Sequence, residues 1–221
     1  MRVIHDLDLV VHAGERLAIM GLNGHGKTTL FRAILGLTDW QTGSILLGGR
    51  EIGGRRMSAP GRRTHRIAAS GVALLPQGDA IFPGLTVEQN VLTGVTSSGT
   101  WRRRRGRLDS VLEIFPPLRP LLDMPVGKMS GGERRMVSLA RGLMGDNRVF
   151  LVDEPSLGLA PKIAAGVIDA LGQVELGEGA MVIAEQSIPL LSGRMDRILG
   201  MHSGQIKQDA ADAFAGISVD H

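Results

Sequence analysis

Arg16-Leu-Ala-Ile-Met-Gly-Leu-Asn-Gly-His-Gly-Lys-Thr-Thr29 decides how this chain is read. Arg16–Met20 is a short apolar run with strand character. Gly21–Gly26 is a glycine-rich loop, and Lys27–Leu35 carries a helical pattern that stops at Gly36. Residues 21–28 fit the spacing G-x-x-x-x-G-K-T, and they lie between a strand and a helix as that motif requires. The physical reason for the pattern is direct. Gly21, Gly24 and Gly26 let the backbone, with Asn23, wrap closely around a polyphosphate and turn its N–H groups inward. The helix N-terminus adds the positive end of its dipole. Lys27 supplies a point charge, and the Thr28 hydroxyl suits Mg²⁺, an ion that keeps most of its water and needs few protein ligands. Thr29 continues the loop into the helix. A chance match in a glycine-rich turn would not bring this context with it. His25 occupies a variable position of the motif and carries no chemistry in this reading.

Outward from this loop, short apolar runs alternate with helical patterns. Ser44–Leu47, Val72–Leu75, Val149–Val152, Met181–Ala184 and Ile198–Met201 read as strands, the last closing the sheet, and a helix is predicted from about Lys162 to Val174. This alternation indicates an α/β fold with a mainly parallel sheet. Gly48–Arg66, rich in glycine and arginine, is expected to be irregular and exposed. Between about residues 77 and 146 the strand signal vanishes. Thr86–Leu92, Leu108–Phe115 and Gly131–Met144 look helical, so a helical subdomain is expected to interrupt a core made of residues 1–76 and 147–221.

Two further clusters carry chemistry. Val149-Phe-Leu-Val152 runs directly into Asp153-Glu-Pro155, which places two acids at the carboxyl edge of a sheet, beside the phosphate loop. Asp153 suits the Mg²⁺ shell, and Glu154 is then free to orient or deprotonate a water. A solvated turn after a strand would explain the pair equally well if the upstream loop were absent. Met129-Ser-Gly-Gly-Glu133 opens an amphipathic helix. Ser130 and Glu133 have capping-box spacing, which accounts for both without any ligand. Gly131 and Gly132 weaken a first helical turn and are left for another reason, close approach by an anion.

On these motifs the chain resembles the ATP-binding-cassette (ABC) family of transporter ATPases, a P-loop NTPase fold with a helical insertion and a small antiparallel β region. The resemblance runs over nearly the whole chain: phosphate loop, Gln77, Ser130–Glu133, Asp153-Glu154, and a switch position at Glu185-Gln186. It implies ATP and Mg²⁺ as cofactors and head-to-tail pairing with a second ATPase subunit. ATP would lie between the Gly21–Thr29 loop of one subunit and Ser130, Gly131 and Gly132 of the other. It further implies that Gln77 touches Mg²⁺ together with Thr28 and Asp153, and that Glu154 and Gln186 act in hydrolysis. Closure on ATP would drive a membrane permease, with a solute-binding protein as an indirect partner, from the cytoplasmic face of the membrane. Residues 77–88, 115–118 and 153–161 look like the branched-chain amino acid importer subgroup; importers of urea or short amides share the first stretch. Soluble and non-hydrolysing members of the family are the remaining alternatives.

The sequence departs from the family pattern at three places. Gln186 stands where most members have histidine, and Leu159 where an aspartate is usual. Members also carry an earlier strand and an aromatic residue that stacks on adenine. This chain begins just past that point and contains no tyrosine, so either the start is truncated or adenine is held differently.

Composition sets the outer limits. At 221 residues and 43% hydrophobic content the chain can bury a core. No run reaches the roughly 18 apolar residues of a membrane span, and the charged opening does not read as a signal peptide. With no cysteine there are no disulfides or thiolate metal sites. A net charge of +3 does not point to nucleic acid. Arg102–Arg105 with Arg107 reads as a solvated surface segment. The sharper alternative is contact with anionic lipid, where each such residue contributes about 1 kcal/mol.

Overall fold

Five parallel strands bring their carboxyl ends to one edge, and this edge organises the molecule. The computed structural model describes residues 3–38, 42–54 and 64–207. Its main sheet holds β1 (Arg16–Met20), β4 (Val72–Leu75), β5 (Val149–Asp153), β6 (Ala180–Glu185), β7 (Arg197–His202) and β8 (Gln205–Lys207) in the order β4-β5-β6-β1-β7-β8. All pairings are parallel except β7 with β8. The expectation that Ile198–Met201 closes the sheet is therefore corrected. The turn at Ser203-Gly204 reverses the chain, and a three-residue strand too short to show a pattern forms the true edge.

A second sheet pairs β2 (Ser44–Leu47) with β3 (Arg50–Gly54) antiparallel. This overturns the reading of residues 48–66 as irregular. Gly48 and Gly49, both with positive φ, make the two-residue turn of a hairpin, and helix α2 (Thr64–Ala69) follows. Residues 55–63 of that stretch lie outside the described residues.

Side-chain alternation along the strands explains how the layers stack. Leu17, Ile19, Leu151, Val182 and Ala184 face one core, with Leu30 and Phe31 of helix α1 (Lys27–Ile34), Ile67 of α2, and Leu47 and Ile52 of the hairpin. Phe150, Val152, Met181 and Ile183 face the opposite core. There they meet α6 (Gly131–Leu143), α7 (Pro161–Gly172) and the helical segment that includes α3 (Val87–Leu92), α4 (Ser98–Arg102) and α5 (Arg104–Ile114). Within residues 77–147 no strand forms, only an isolated bridge between Thr86 and Pro125. This helical segment shares its core with the sheet: Val87, Val91, Leu112, Phe115 and Leu118 belong to the same buried cluster as Leu75 and Val152.

The arginine block lies on helices α4 and α5 and is largely solvated, as expected. Arg102, Arg103 and Arg105 are exposed, but Arg104 stacks over Trp101 with its guanidinium carbon 4.4 Å from the ring centroid, and Arg107 donates to the Gly145 carbonyl. No described helix is long and apolar enough to cross a membrane.

Candidate functional site

Parallel register aligns the site. Met20 pairs with Glu185, Asp153 with Ala184, and Leu75 with Val152. The residues just past β4, β5, β6 and β1 therefore emerge side by side: Gln77, Glu154, Gln186 and the loop starting at Gly21. Strand spacing makes this row about 14 Å long. A pocket of about 240 Å³ sits over it, lined by Asn23, Gly24, Gly26, Lys27, Thr28, Thr29, Gln77 and Glu154.

The loop conformation depends on its glycines. Gly26 is the N-cap of α1 with φ 108° and ψ 0°, a left-handed conformation that a side chain disfavours. A Cβ on Gly21 would stand 2.5 Å from the Met201 carbonyl oxygen, so β7 can approach β1 only across a glycine there. α1 has neither a side-chain cap nor an acid in its first turn, which leaves its N-terminal amides unspent.

Lys27 is buried, with Nζ 2.6 Å from the Gly21 carbonyl, 3.2 Å from that of Leu22 and 3.3 Å from Glu154 Oε1. Glu154 is likewise buried. Its Oε1 accepts from Gln186 Nε2 at 2.9 Å, and its Oε2 from Gln77 Nε2 at 3.3 Å. Gln186 also donates to Asn23 Oδ1 at 2.9 Å. One carboxylate thus gathers three of the predicted residues. Glu154 has φ 43°, unusual for a residue with a side chain. Its amide donates to the Ala184 carbonyl at 2.9 Å, which ties the turn back to β6.

Asp153 stands behind this row. Burial pushes its carboxyl above the usual range, opposed by the Thr28 hydroxyl; nearby Glu154 raises it further, and Lys27 and Arg32 lower it. Its Oδ1 is buried without a hydrogen-bond partner. An orphaned carboxylate oxygen beside a threonine hydroxyl is what a bound divalent cation would relieve. Among the described residues no three His, Asp or Glu side chains gather to hold a metal by themselves. The donor set Thr28, Asp153 and Gln77 therefore fits Mg²⁺, which is held by one or two carboxylates together with phosphates and water.

Ser130, Gly131 and Gly132 are not among the residues lining this pocket. The capping box forms: Ser130 Oγ accepts from the Glu133 amide at 3.3 Å, and the Ser130 amide donates to Glu133 Oε2 at 2.8 Å. The two glycines separate. A Cβ on Gly132 would lie 2.9 Å from Ile163 Cγ2, so packing of α6 on α7 explains that glycine. On Gly131 a Cβ would meet nothing nearer than Arg134 Nη2 at 3.8 Å, and its face is open.

Glu185 and Arg135, both buried, were given no role of their own by the sequence. Glu185 Oε1 accepts from the Ser156 amide and Oε2 from the Gln186 amide, which fixes both loops beside Glu154. Arg135 lies 2% exposed on α6. The signal for Glu185 was an acid ending an apolar strand. For Arg135 it was a cation in register, every fourth residue, with Leu139 and Leu143.

The ABC transporter family profile matches residues 4–157. The high-affinity branched-chain amino acid transport ATP-binding protein BraG of Pseudomonas aeruginosa is 32% identical over 93% of this chain and 85% of its own length. A probable branched-chain amino acid transport ATP-binding protein, LivF, of Archaeoglobus fulgidus is 34% identical over 77% of this chain and 69% of its own. Other relatives are named for Fe(3+) import and for Nod factor export. Among solved structures, a part of the cbiONQ ABC transporter complex of Clostridium perfringens superposes with a TM-score of 0.78 at 25% identity, covering 97% of this chain and 84% of that one.

Proposed function

We propose a role that starts from one premise: this chain belongs to the ABC transporter family, and as its ATP-binding domain it is an ATPase that powers transport. Our reading is that the whole described chain acts as one cassette, with the helical segment inserted into the P-loop core. Two cassettes, identical or paralogous, pair head to tail and serve permease subunits at the cytoplasmic face of the membrane, in an importer of branched-chain amino acids.

The observation that carries the chemistry is the Glu154 carboxylate, held by Lys27, Gln77 and Gln186 at the mouth of the phosphate loop. Lys27 and the uncapped amides of α1 take the β- and γ-phosphates, which draws Lys27 away from Glu154. Thr28, Asp153 and Gln77 would hold Mg²⁺, which would neutralise phosphate charge there. Glu154 then accepts a proton from water as its oxygen attacks the γ-phosphorus and the bond to the bridging oxygen breaks, releasing ADP and phosphate. Gln186 bonds both Glu154 and Asn23, and so orients the carboxylate without adding positive charge.

Support for the solute comes from BraG and LivF. The test is reconstitution of this chain with permease subunits that co-purify with it and a branched-chain amino acid-binding protein. ATP turnover stimulated by leucine, isoleucine or valine is expected. Stimulation by urea or a short amide and not by leucine would replace the substrate. A chain that binds ATP but never turns over with any partner would be a non-hydrolysing cassette.

A further inference from the structure

Arg135 has no part in the chemistry above, yet its five N–H groups are all engaged. Nε donates to the Pro155 carbonyl at 3.1 Å. Nη1 donates to Pro76 at 2.7 Å and Gly78 at 2.5 Å, and Nη2 to Asp153 at 3.1 Å and Glu154 at 3.3 Å. Every acceptor is a backbone carbonyl. They belong to two segments remote in sequence, one on either side of Gln77 and one running through Glu154.

Among the described residues no carboxylate forms an ion pair with Arg135. Burial draws its guanidinium below the usual range, opposed by the charges of Asp79, Glu185 and Asp153. A buried cation is a costly way to fill space, and an apolar side chain of similar size is often at least as stable. The guanidinium does something an apolar group cannot: its planar fork fixes several acceptors at once in one geometry. Glu154 needs such a hold. Its φ of 43° is a conformation that persists only when the surroundings over-determine it. The Ala184 carbonyl pins its amide, and Arg135 pins its carbonyl.

We infer that Arg135 is a positioning residue: it locks the Gln77 loop and the Glu154 turn into one frame carried by α6. That helix starts at Ser130, so a shift of its N-terminus reaches Gln77 and Glu154 together. The inference rests on the proposed role of Glu154 as the group that acts on water.

The test uses the full chain and compares Arg135→Ala, Arg135→Gln and Arg135→Lys for ATP affinity, turnover and thermal midpoint. Arg135→Ala is expected to lower kcat about 10- to 100-fold, because misplacement of a catalytic group by about 1 Å costs up to this scale. ATP affinity should stay within about threefold, since energy of phosphate binding comes from the other loop. Arg135→Lys restores a charge but not the fork and should recover only part of the turnover. In a Glu154→Gln background, Arg135→Ala should cause no further loss, because the arginine acts through Glu154.

Wild-type kcat in Arg135→Ala and Arg135→Lys, whatever the thermal midpoint, would overturn the inference. An equal further loss in the Glu154→Gln background would do the same, and so would failure of all three variants to fold, which would make Arg135 a fold determinant only. If Glu154→Gln itself turns over normally, the reading of Glu154 fails first, and the two failures are told apart.

Discussion

α1 and α6 both start on glycine-containing loops, and the two starts are finished differently. α1 begins at Gly26 with no side-chain cap and no acid in its first turn. α6 begins at Ser130 with a complete capping box and Glu133 in its first turn. The first start leaves unpaired amides and an uncompensated dipole, with a buried lysine beside them. The second spends the amides of Ser130 and Glu133 on its own capping box, and the open face it presents is that of Gly131. In the head-to-tail reading, the first offers its amides to phosphate within this chain and the second meets a facing molecule. Both grow from the same helix physics, and the capping residue decides between them.

The largest expected effect lies in the first site. Glu154→Gln should lower turnover about 10²- to 10⁴-fold, the range for loss of a general base, while ATP titration shows binding intact. Turnover at the wild-type rate would remove Glu154 from the chemistry.

The second site is broken by Gly131→Asp. A carboxylate on the open face would meet the facing chain's phosphates, and like charges in an interface cost several kcal/mol, so turnover should fall about a hundredfold or more. ATP affinity of the isolated monomer should not change. A parallel drop in monomer affinity would place Gly131 in the same site as Lys27 and erase the contrast between the two helix starts.

Lys27→Ala removes one charge-assisted contact to phosphate, worth about 1.5–3 kcal/mol. Calorimetry should show affinity reduced about 10- to 150-fold. Unchanged affinity in a folded variant would mean that the uncapped amides of α1 suffice.

The smallest effect sharpens the first site from the side of stability. Burial raises the folded-state pKa of Asp153 above its unfolded value, so the native chain binds the proton more readily. The charged form is penalised, and the penalty grows as pH rises through the unfolded and then the folded pKa. Asp153→Asn imitates the neutral form. In buffer without nucleotide or Mg²⁺ it should melt higher than wild type at neutral pH, by on the order of a few degrees, and the gap should close on acidification. A lower melting point at neutral pH would show that the nearby Thr28 hydroxyl and the cations Lys27 and Arg32 outweigh desolvation.

Much of this was legible in the order of residues. The strands at Arg16–Met20 and Val72–Leu75 lie where their apolar runs place them, because a buried parallel strand is written locally; Ser44–Leu47 also lies where its run places it, though it pairs antiparallel and is half exposed. The phosphate loop and the capping box of Ser130 are likewise local, since both depend on backbone conformation within a few residues. The hairpin at Arg50–Gly54 and the edge strand Gln205–Lys207 were hidden, because both are short and polar and owe their form to a neighbouring strand.

What the sequence determined by itself was therefore the chemistry on offer: a loop for polyphosphate, two acids after a strand, a serine-capped helix, and their order. What only the tertiary structure decided was which of these meet. The register of β4, β5, β6 and β1 sets Gln77, Glu154, Gln186 and Gly21 in one row, though 165 residues of chain separate Gly21 from Gln186. It also turned Arg135 from one arginine among several into the clamp behind that row. Hydrogen bonds between distant segments have no periodicity along the chain. They follow from the sheet order, and the sheet order follows from burying both faces of the strands at once.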